Sequence, residues 1–327
     1  MPLQLRYYDA VQKMSRSNQH FYITGVAGFI GSAILKRLLE LGQTAEGFDF
    51  ATGYLKNLEF LKTQKGFAKR YKHHAVDLSL INCGENIFKN KDAVVIHLAA
   101  LGSAPRSIKY PELSCKNNLL SFLNVLEMCR KNKQLLIYAS SSSAVNCLSP
   151  YGATKSACDR LAYSYFKSYN FVSIPLRFFN IFGPGQLMTG DYAPAIGKWI
   201  HQAKTGATPT IYGKCFRDFT YIENAVQAII LASMARLNTF NIFDISHGVS
   251  VDTKNILKYI LGATGSKVKP ERAPYRLGDV AESEGDITPA ERALGYRPSV
   301  SVYEGIDKYI DWYEQNDIEN KIELYKS

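Results

Sequence analysis

The sequence predicts a doubly wound α/β fold, in which helices cover a parallel sheet. Short, continuous apolar runs alternate with helical stretches through the first half of the 327-residue chain. Such apolar runs are typical of parallel strands that are buried on both faces. Strands that alternate with helices in this way build parallel sheets. After Gly183 the pattern loosens into segments rich in Gly and Pro, so we expect a smaller second domain to begin there.

The predicted elements follow one another in a regular order. Phe21–Thr24 is a buried strand, and the helix after it runs from about Phe29 to Leu41 and ends at Gly42. Thr239–Ser246 is strand-like and could rejoin the sheet from the second half. The other predicted elements are the strands Thr44–Phe50, Ala93–Ala99, Gln134–Ser140 and Ser173–Phe182, and the helices Leu113–Lys131 and Pro150–Tyr169.

Composition excludes several classes of protein. The net charge is +10, but the basic residues are dispersed apart from a loose run over 62–72, so we expect no nucleic-acid partner and instead small anionic ligands such as diphosphates. No apolar run is long enough to span a bilayer, and residues 1–20 lack the apolar segment of a signal peptide. The six cysteines are scattered without Cys-x-x-Cys spacing, which predicts reduced thiols, no metal site and a cytoplasmic protein.

A glycine-rich turn follows the first predicted strand. The run Gly25-Val26-Ala27-Gly28-Phe29-Ile30-Gly31 opens the next helix, where glycines let the backbone approach a pyrophosphate and the helix N-terminus supplies N–H donors. Asp49 lies at the end of the second predicted strand, where a carboxylate can bind the adenosine ribose hydroxyls. A carboxylate repels a 2′-phosphate, and Phe50 beside it offers no cation. The pattern favours a Rossmann-type domain that binds NAD rather than NADP, although a glycine turn with a capping aspartate is the alternative.

Ser142, Tyr151 and Lys155 form a candidate proton relay. Ser142 follows a predicted strand, and Ser149-Pro150 is typical of a helix start that places Tyr151 and Lys155 on one helix face. A free tyrosine ionises at about pH 10, so a phenolate at neutral pH costs about 4 kcal/mol, and a cation ~5 Å away contributes roughly 3 kcal/mol. Lys155 and an oxidised nicotinamide ring together could make Tyr151 a usable base, while Ser142 would hydrogen-bond the reacting oxygen. The Tyr-x-x-x-Lys spacing alone often arises by chance; the preceding glycine turn and the serine-ended strand favour catalysis.

Taken together, these motifs resemble the extended short-chain dehydrogenase/reductase family, and within it the nucleotide-sugar 4-epimerases. The resemblance runs almost end to end through TGVAGFIGS, DFATG, HLAALGSAPRS, SPYGATK, LRFFNIFGP, RDFTYIENAVQA and RLGD. ALGSAPRSI, DFATG and YIENAVQA look most like the UDP-N-acetylglucosamine 4-epimerase branch. The resemblance implies an enzyme of polysaccharide biosynthesis that converts UDP-GlcNAc to UDP-GalNAc with NAD as cofactor. It also implies a homodimer and divides the chain into an N-terminal extension (1–20), an NAD-binding domain (21–182) and a mainly UDP-sugar-binding domain (183–327).

The resemblance further implies roles for individual residues. NAD would contact Gly25, Gly28, Phe29, Ile30, Gly31, Asp49, Asp77, Leu78, Leu98, Ala99, Ala100, Asn118, Tyr151 and Lys155. The UDP-sugar would contact Gly102, Ser103, Ser142, Ser143, Asn180, Arg217, Arg276, Asp279 and Ser283. The two arginines also suit a pyrophosphate on chemical grounds, although each alone could equally be a surface residue.

Small residues near the expected sugar bear on substrate choice. Some relatives that take only non-acetylated hexoses carry a bulky tyrosine four residues after the position of Asp279, and here that position is Ser283. Gly102 and Ser103 are likewise small. By resemblance these residues leave room for an N-acetyl group, which favours UDP-GlcNAc and UDP-GalNAc, with UDP-glucose and UDP-galactose as further substrates.

The residues after Ser142 argue against other reactions of the family. Related 4,6-dehydratases place an Asp-Glu pair directly after the catalytic Ser or Thr, because loss of water needs an acid and a base, and related decarboxylases usually carry a Glu near it. Here Ser143-Ala144 follows, and neither residue can titrate. Oxidation at C4, rotation of the 4-keto sugar and re-reduction need only the relay, so epimerisation is the simplest reaction that fits.

The connection from Ser142 to Tyr151 is nine residue steps, shorter than in relatives. Nine steps can still span ~30 Å, so the short connection does not prevent the relay from forming. We expect a more open and wetter cleft, which weakens the electrostatic activation of Tyr151. Two alternatives therefore stay open beside the hexosamine epimerase: a UDP-glucose/galactose or UDP-glucuronate 4-epimerase, and a nucleotide-sugar-binding protein that has lost catalysis.

Overall fold

The computed structural model describes residues 3–50, 52–81, 86–275 and 280–325. The strands in chain order are β1 (His20–Thr24), β2 (Thr44–Asp49), β3 (Tyr71–Ala75), β4 (Val94–His97), β5 (Leu136–Ser141), β6 (Ile174–Phe178), β7 (Ile181–Phe182), β8 (Thr210–Tyr212), β9 (Phe216–Arg217), β10 (Thr220–Tyr221), β11 (Phe243–Ile245), β12 (Val251–Asp252), β13 (Glu271–Ala273) and β14 (Glu282–Ser283).

The α-helices are α1 (Leu3–Ser15), α2 (Phe29–Glu40), α3 (Phe60–Thr63), α4 (Ala104–Lys109), α5 (Pro111–Cys115), α6 (Ser121–Asn132), α7 (Ser143–Asn146), α8 (Pro150–Tyr169), α9 (Ala195–Thr205), α10 (Ile222–Met234), α11 (Thr253–Ala263), α12 (Thr288–Leu294) and α13 (Val302–Gln315). Among the described helices, none combines the length and the apolar character that crossing a membrane requires.

A seven-stranded sheet confirms the predicted doubly wound α/β fold. Its strand order is β11-β6-β5-β4-β1-β2-β3, and β1 pairs in parallel with both β2 and β4. The order therefore reverses between β1 and β4. In open α/β sheets, ligands bind beyond the carboxyl ends of the strands at such a reversal.

The chain divides into two compact units. The first comprises residues 1–178, 226–244 and 288–297, and the second comprises 179–225, 245–287 and 298–327. The first contains the large sheet, with a core that includes Tyr22, Phe48, Phe88, Phe122 and Tyr138. The second contains small sheets of orders β12-β9-β14, β10-β7 and β13-β8. That residues 21–182 bind the cofactor and 183–327 mainly the UDP-sugar stays a prediction.

Several predicted elements differ from the observed ones for local reasons. The helix predicted over 113–131 is interrupted by a π-helical turn at Lys116–Leu120. The strand predicted over 173–182 is two strands, because Asn180 has a φ of 38°, which ends β6 before β7 begins. The segment 239–246 does rejoin the sheet, as β11 beside β6.

Candidate functional site

The carboxyl edge of the large sheet brings the predicted cofactor residues into one row. Thr24 in β1 is in register with Phe48 in β2 and with His97 in β4, and His97 is in register with Tyr138 in β5. The residues immediately after these are Gly25, Asp49, Leu98 and Ala139. The glycine turn, Asp49 and the part of β5 that leads to Ser142 therefore lie along the same edge.

The glycine turn is packed too closely for any side chain. Gly25 has a φ of +68°, and a Cβ added there would lie 2.7 Å from the backbone nitrogen of Ala99. A Cβ on Gly31 would lie only 2.1 Å from the carbonyl oxygen of Gly25. Helix α2 begins with Gly28 as N-cap, and no side chain caps it. Backbone N–H groups of the first turn, which includes Phe29 and Ile30, are therefore available to an anion.

Two polar side chains hold the glycine turn through Ala27. Asp49 Oδ2 accepts a hydrogen bond from the Ala27 N–H at 2.9 Å, and Asn57 Nδ2 donates to the Ala27 carbonyl at 3.1 Å. Asp49 is partly exposed. Beyond β3, Asp77 Oδ1 accepts from both the backbone N–H and the hydroxyl of Ser79 at 2.9 and 2.7 Å. This turn fixes Asp77 and the buried Leu78 close to Asp49, whose carbonyl accepts from the Val76 N–H.

Thr24 and His97 organise the end of β4. The Thr24 hydroxyl oxygen accepts from the N–H groups of Leu98 and Ala99 at 3.2 and 3.3 Å, and lies 2.8 Å from His97 Nδ1. Because the Thr24 oxygen already accepts two hydrogen bonds, we assign the Thr24 hydroxyl as the donor and His97 Nδ1 as the acceptor of the third. Burial, with a smaller effect of the nearby Lys155 cation in the same direction, lowers the pKa of His97 to about 3. The imidazole is therefore neutral at physiological pH. Ala100, three positions after His97, is partly exposed.

Helix α8 presents Tyr151 and Lys155, and its first turn is fully capped. Ser149 Oγ accepts from the Gly152 N–H at 3.2 Å, and Ser107 Oγ accepts from the Tyr151 N–H at 3.0 Å. Tyr151 is partly exposed, whereas Lys155 is 5% exposed. Lys155 Nζ donates to the Ala139 carbonyl at 2.7 Å. The lysine is thus fixed one helical turn beyond the tyrosine, with its ammonium group held at the end of β5.

The short connection between Ser142 and Tyr151 is built by packing α7 directly against α8. Ser142 is the N-cap of α7 and donates its N–H to the Phe178 carbonyl at 3.0 Å. A Cβ on Gly152 would lie 2.4 Å from the Ser143 carbonyl, so only glycine permits this approach. Cys147 adopts a φ of 52° where the chain turns into α8. Residues 145–148 are exposed, and Ser142 and Ser143 are partly exposed.

Asn118 lies in the π-helical turn and bridges two parts of this unit. Its Oδ1 accepts from the Leu101 N–H at 2.8 Å, and its Nδ2 donates to Thr154 Oγ1 at 3.0 Å. The side chain is 2% exposed. π-Helical turns often occur at functional sites. The amide therefore fixes the segment after β4 against the residue that precedes Lys155. Direct contact of Asn118 with NAD stays a prediction.

Two further residues predicted to meet the sugar follow β4. Gly102 is exposed, and nothing lies within 4 Å of where its Cβ would be. Ser103 is partly exposed and caps α4 by accepting from the Arg106 N–H at 3.3 Å. Both lie in the first unit, on the segment that Asn118 anchors.

Three of the predicted diphosphate and sugar residues lie together in the second unit. Asn180, with its left-handed backbone, donates from Nδ2 to the Asp218 carbonyl at 2.8 Å and to Ser283 Oγ at 3.3 Å. Ser283 is in register with Arg217 where β14 pairs with β9. The other two predicted residues, Arg276 and Asp279, lie outside the described residues.

Four residues that hold these side chains were not predicted from the sequence: Thr24, Asn57, Ser107 and Asp218. Asp218 is fully buried and accepts N–H bonds from His247, Gly248 and Gly285, which together oppose the effect of burial, the main cause that raises its pKa. Ser107 and Asp218 do fall within motifs quoted above. Thr24 begins another such motif, whereas Asn57 carries no pattern that predicts its contact. Among the described residues, no group of three or more His, Cys, Asp or Glu side chains could hold a metal ion.

Comparison with known proteins adds to this geometry. A family model described as GDP-mannose 4,6 dehydratase matches residues 22–309. UDP-glucuronate 4-epimerase from Thermodesulfobacterium geofontis is 28% identical over 329 residues, which covers 94% of this chain and 98% of that protein. The structure of UDP-N-acetylglucosamine 4-epimerase from Methanobrevibacter ruminantium in complex with UDP-N-acetylmuramic acid matches with a TM-score of 0.82 and 26% identity, over 92% of this chain and 99% of that one. The structure of Thermus thermophilus UDP-glucose 4-epimerase in complex with NAD matches with a TM-score of 0.77 and 28% identity, over 90% and 99%.

Proposed function

The chain belongs to the GDP-mannose 4,6-dehydratase family, and from this premise we propose that it is an NAD-dependent UDP-sugar 4-epimerase whose substrates are UDP-GlcNAc and UDP-GalNAc. The observation that carries the epimerase assignment is the row at the carboxyl edge of the sheet. It combines a glycine turn that excludes side chains, an acidic residue at the end of β2, and a helix that presents Tyr151 with a fixed lysine one turn away.

The residues present fit NAD. Gly25 and Gly31 let the turn pack closely against the segment after β4 and against α2, and the start of α2, which no side chain caps, supplies N–H donors for a pyrophosphate. Asp49 would bind the adenosine ribose. When bound, NAD supplies the group that accepts a hydride from C4 of the sugar and returns it. The solved epimerase structure with NAD supports the same cofactor here.

The chain's own residues would move the proton and orient the sugar. Tyr151 would take the proton of the C4 hydroxyl during oxidation and return it during reduction. The Lys155 ammonium favours the phenolate by its charge, and Ser142 would donate a hydrogen bond to the C4 oxygen. Asn180 and Arg217 would hold the nucleoside diphosphate, which leaves the 4-keto sugar free to rotate before it is reduced on its other face.

Absence of acid–base groups beside Ser142 argues against dehydration at this site. Ser143 and Ala144 occupy the positions after Ser142 and cannot titrate. Asp159, a carboxyl group on α8, is bound to Tyr138, Ser140 and Arg177. Removal of water across C5 and C6 needs both an acid and a base. The relay therefore supports epimerisation, although the matching family model takes its name from a dehydratase.

The preference for an N-acetylated sugar rests on Ser283. This small residue hydrogen-bonds Asn180 and is paired with Arg217, so it lies among the residues predicted to bind the substrate. The relatives named for UDP-glucuronate and UDP-glucose make those sugars the second candidates.

Competition among UDP-GlcNAc, UDP-GalNAc, UDP-glucose, UDP-galactose and UDP-glucuronate tests the substrate assignment. We expect kcat/KM to be highest for UDP-GlcNAc and UDP-GalNAc. Ser283→Tyr should lower kcat/KM for these two by roughly 5- to 150-fold, because an overpacked site costs about 1–3 kcal/mol. The same change should spare UDP-glucose, and Ser283→Ala, which keeps the space, should retain the N-acetyl preference. Higher kcat/KM for UDP-glucuronate in the wild-type protein would replace the hexosamine assignment.

A further inference from the structure

Asp159 is a buried carboxyl group that joins α8 to two strands of the sheet. It is 6% exposed. Its Oδ1 accepts from the Tyr138 hydroxyl at 3.1 Å, and its Oδ2 accepts from the Ser140 hydroxyl at 2.8 Å, with Arg177 Nη2 at 3.5 Å. Burial raises the pKa of Asp159, while the bonds from Ser140, Arg177 and Tyr138 oppose that effect. Burying a carboxyl group carries a free-energy penalty because the group loses its hydration. We therefore expect Asp159 to have a role that offsets this penalty.

The two residues whose hydroxyl groups bind Asp159 flank the residue whose carbonyl accepts a hydrogen bond from Lys155. Tyr138 and Ser140 are the neighbours of Ala139 in β5, and Ala139 accepts from Lys155 Nζ at 2.7 Å. The ladder between β4 and β5 ends with the pair His97 and Tyr138, one residue before Ala139. On its other side β5 stays paired with β6 through Ala139 and Ser140, and Asp159 adds a connection to α8 through the Tyr138 and Ser140 side chains.

Lys155 and Asp159 are also one helical turn apart on α8. The same helix thus contributes both the ammonium group and the carboxyl group that holds its acceptor. A change at Asp159 would release the Tyr138 and Ser140 hydroxyl groups, so that the backbone at Ala139 would be held by the ladder with β6 without the connection to α8. The charge of Lys155 would then lose its fixed position relative to Tyr151.

We propose that Asp159 is a positioning residue of the proton relay, which holds β5 so that the Ala139 carbonyl keeps the Lys155 ammonium in place. This inference rests on the proposed epimerase function, because it assigns Asp159 an effect on Tyr151 through Lys155. Asp159 itself does not contact the reacting atoms in this account.

Two ionisable groups that interact with Lys155 are neutral at physiological pH. His97 on β4 is neutral, since burial lowers its pKa to about 3. Cys158 on α8 is a neutral thiol, since burial raises its pKa to about 12 despite the opposing effect of Lys155. Arg177 on β6 lies between Asp159 and Asp244, with its Nη1 3.5 Å from Asp244 Oδ1. The charge of Lys155 is therefore not offset by His97 or Cys158, and its position affects the field at Tyr151.

Asp159→Asn tests the proposal, with Asp244→Asn as the matched control. Both changes neutralise a partner of Arg177, and Asp159 in addition accepts hydrogen bonds from Tyr138 and Ser140. In Asp159→Asn we expect Lys155 to move from ~5 to ~7 Å from the Tyr151 phenol. The midpoint of the acid limb in the plot of kcat against pH should then move to higher pH by roughly 0.7 pH unit. Below that limb kcat should fall about fivefold, with KM unchanged, and above it kcat should approach the wild-type value. Asp159→Glu should restore part of the shift, and Asp244→Asn should leave the limb in place.

A second readout does not depend on turnover. Ultraviolet difference titration of the NAD-bound protein, with Tyr151→Phe subtracted, follows ionisation of the Tyr151 phenol directly. Asp159→Asn should move its midpoint upward, and so should the paired change Tyr138→Phe with Ser140→Ala if Asp159→Asn does not fold. An unchanged midpoint, or a kcat that falls equally at every pH, overturns the positioning role. Absence of turnover in the wild-type protein instead contradicts the proposed function, and the titration still tests the positioning role.

Discussion

Tyr151 is the residue on which the proposed chemistry depends. Tyr151→Phe removes the only ionisable group of that side chain and keeps its ring. We expect kcat for UDP-GlcNAc to fall by at least about 10²–10⁴-fold, the range that general acid–base catalysis contributes. The content of bound NAD should stay at the wild-type level. Chromatographic product analysis with the protein at high concentration measures the loss.

Tyr163→Phe is the matched control for this change. Tyr163 lies on the same helix, is 48% exposed and packs its ring against Phe240. Its hydroxyl group has no role in the account, so this variant should keep full activity. Activity retained in Tyr151→Phe would exclude the tyrosine as the base.

At the scale of single elements, the turn between β1 and α2 tests whether the cofactor site is the one described. Gly31→Ala would place a Cβ 2.1 Å from the Gly25 carbonyl oxygen, which belongs to backbone that cannot yield without moving the turn. Overpacking of this kind costs about 1–3 kcal/mol, so NAD should bind roughly 5- to 150-fold more weakly. Equilibrium dialysis with NAD measures the affinity.

Gly262→Ala controls for a glycine change within a helix. Gly262 lies in α11, and nothing is found within 4 Å of where its Cβ would be. Alanine has the higher helix propensity, so this variant should bind NAD normally and be as stable or slightly more stable. Unaltered NAD affinity in Gly31→Ala would mean that the cofactor does not use this turn.

The elements also show how far the sequence predicts the site. Helix α8 begins and ends where it was predicted, because Ser149-Pro150 caps its start and Asn170 adopts the left-handed conformation that ends it. The glycine turn and the acid after β2 were likewise predictable from local pattern. By contrast, β3 was not predicted: its sequence YKHHA is largely polar, and it pairs at the edge of the sheet beside β2.

Contacts between residues that are far apart in the sequence explain most of the features that local sequence patterns did not predict. The break at Asn180 depends on bonds to Asp218 and Ser283, which are 38 and 103 positions away. Asn57 holds the glycine turn through a bond across 30 positions. Neither contact has a local sequence signal, since each exists only after the chain has folded.

For the first unit as a whole, buried His97 predicts a loss of stability in acid. Its folded pKa of about 3 lies below the value of about 6.5 in the unfolded chain, so the unfolded state binds more protons between these values. This contribution is fully present above about pH 6.5 and is lost as the pH falls. Between pH 7 and pH 5 it should lower the free energy of unfolding by about 2 kcal/mol.

His97→Asn isolates this contribution. The amide can still bond the Thr24 hydroxyl but does not titrate, so the variant should lose about 2 kcal/mol less than wild type between pH 7 and pH 5. Urea unfolding at the two pH values measures the difference, which is independent of any constant loss of packing. Equal pH dependence in both proteins would mean that His97 is protonated or accessible in the folded state.

The fate of hydrogen at C4 tests the central claim for the whole molecule most directly. UDP-GlcNAc that carries deuterium at C4 should be converted to UDP-GalNAc with the deuterium still at C4, without added reductant, because the hydride taken from that carbon returns to it. NMR of the product reads both the configuration and the label. Exchange of the deuterium with solvent, a 4-keto-6-deoxy product, or no conversion of any UDP-sugar would contradict the account.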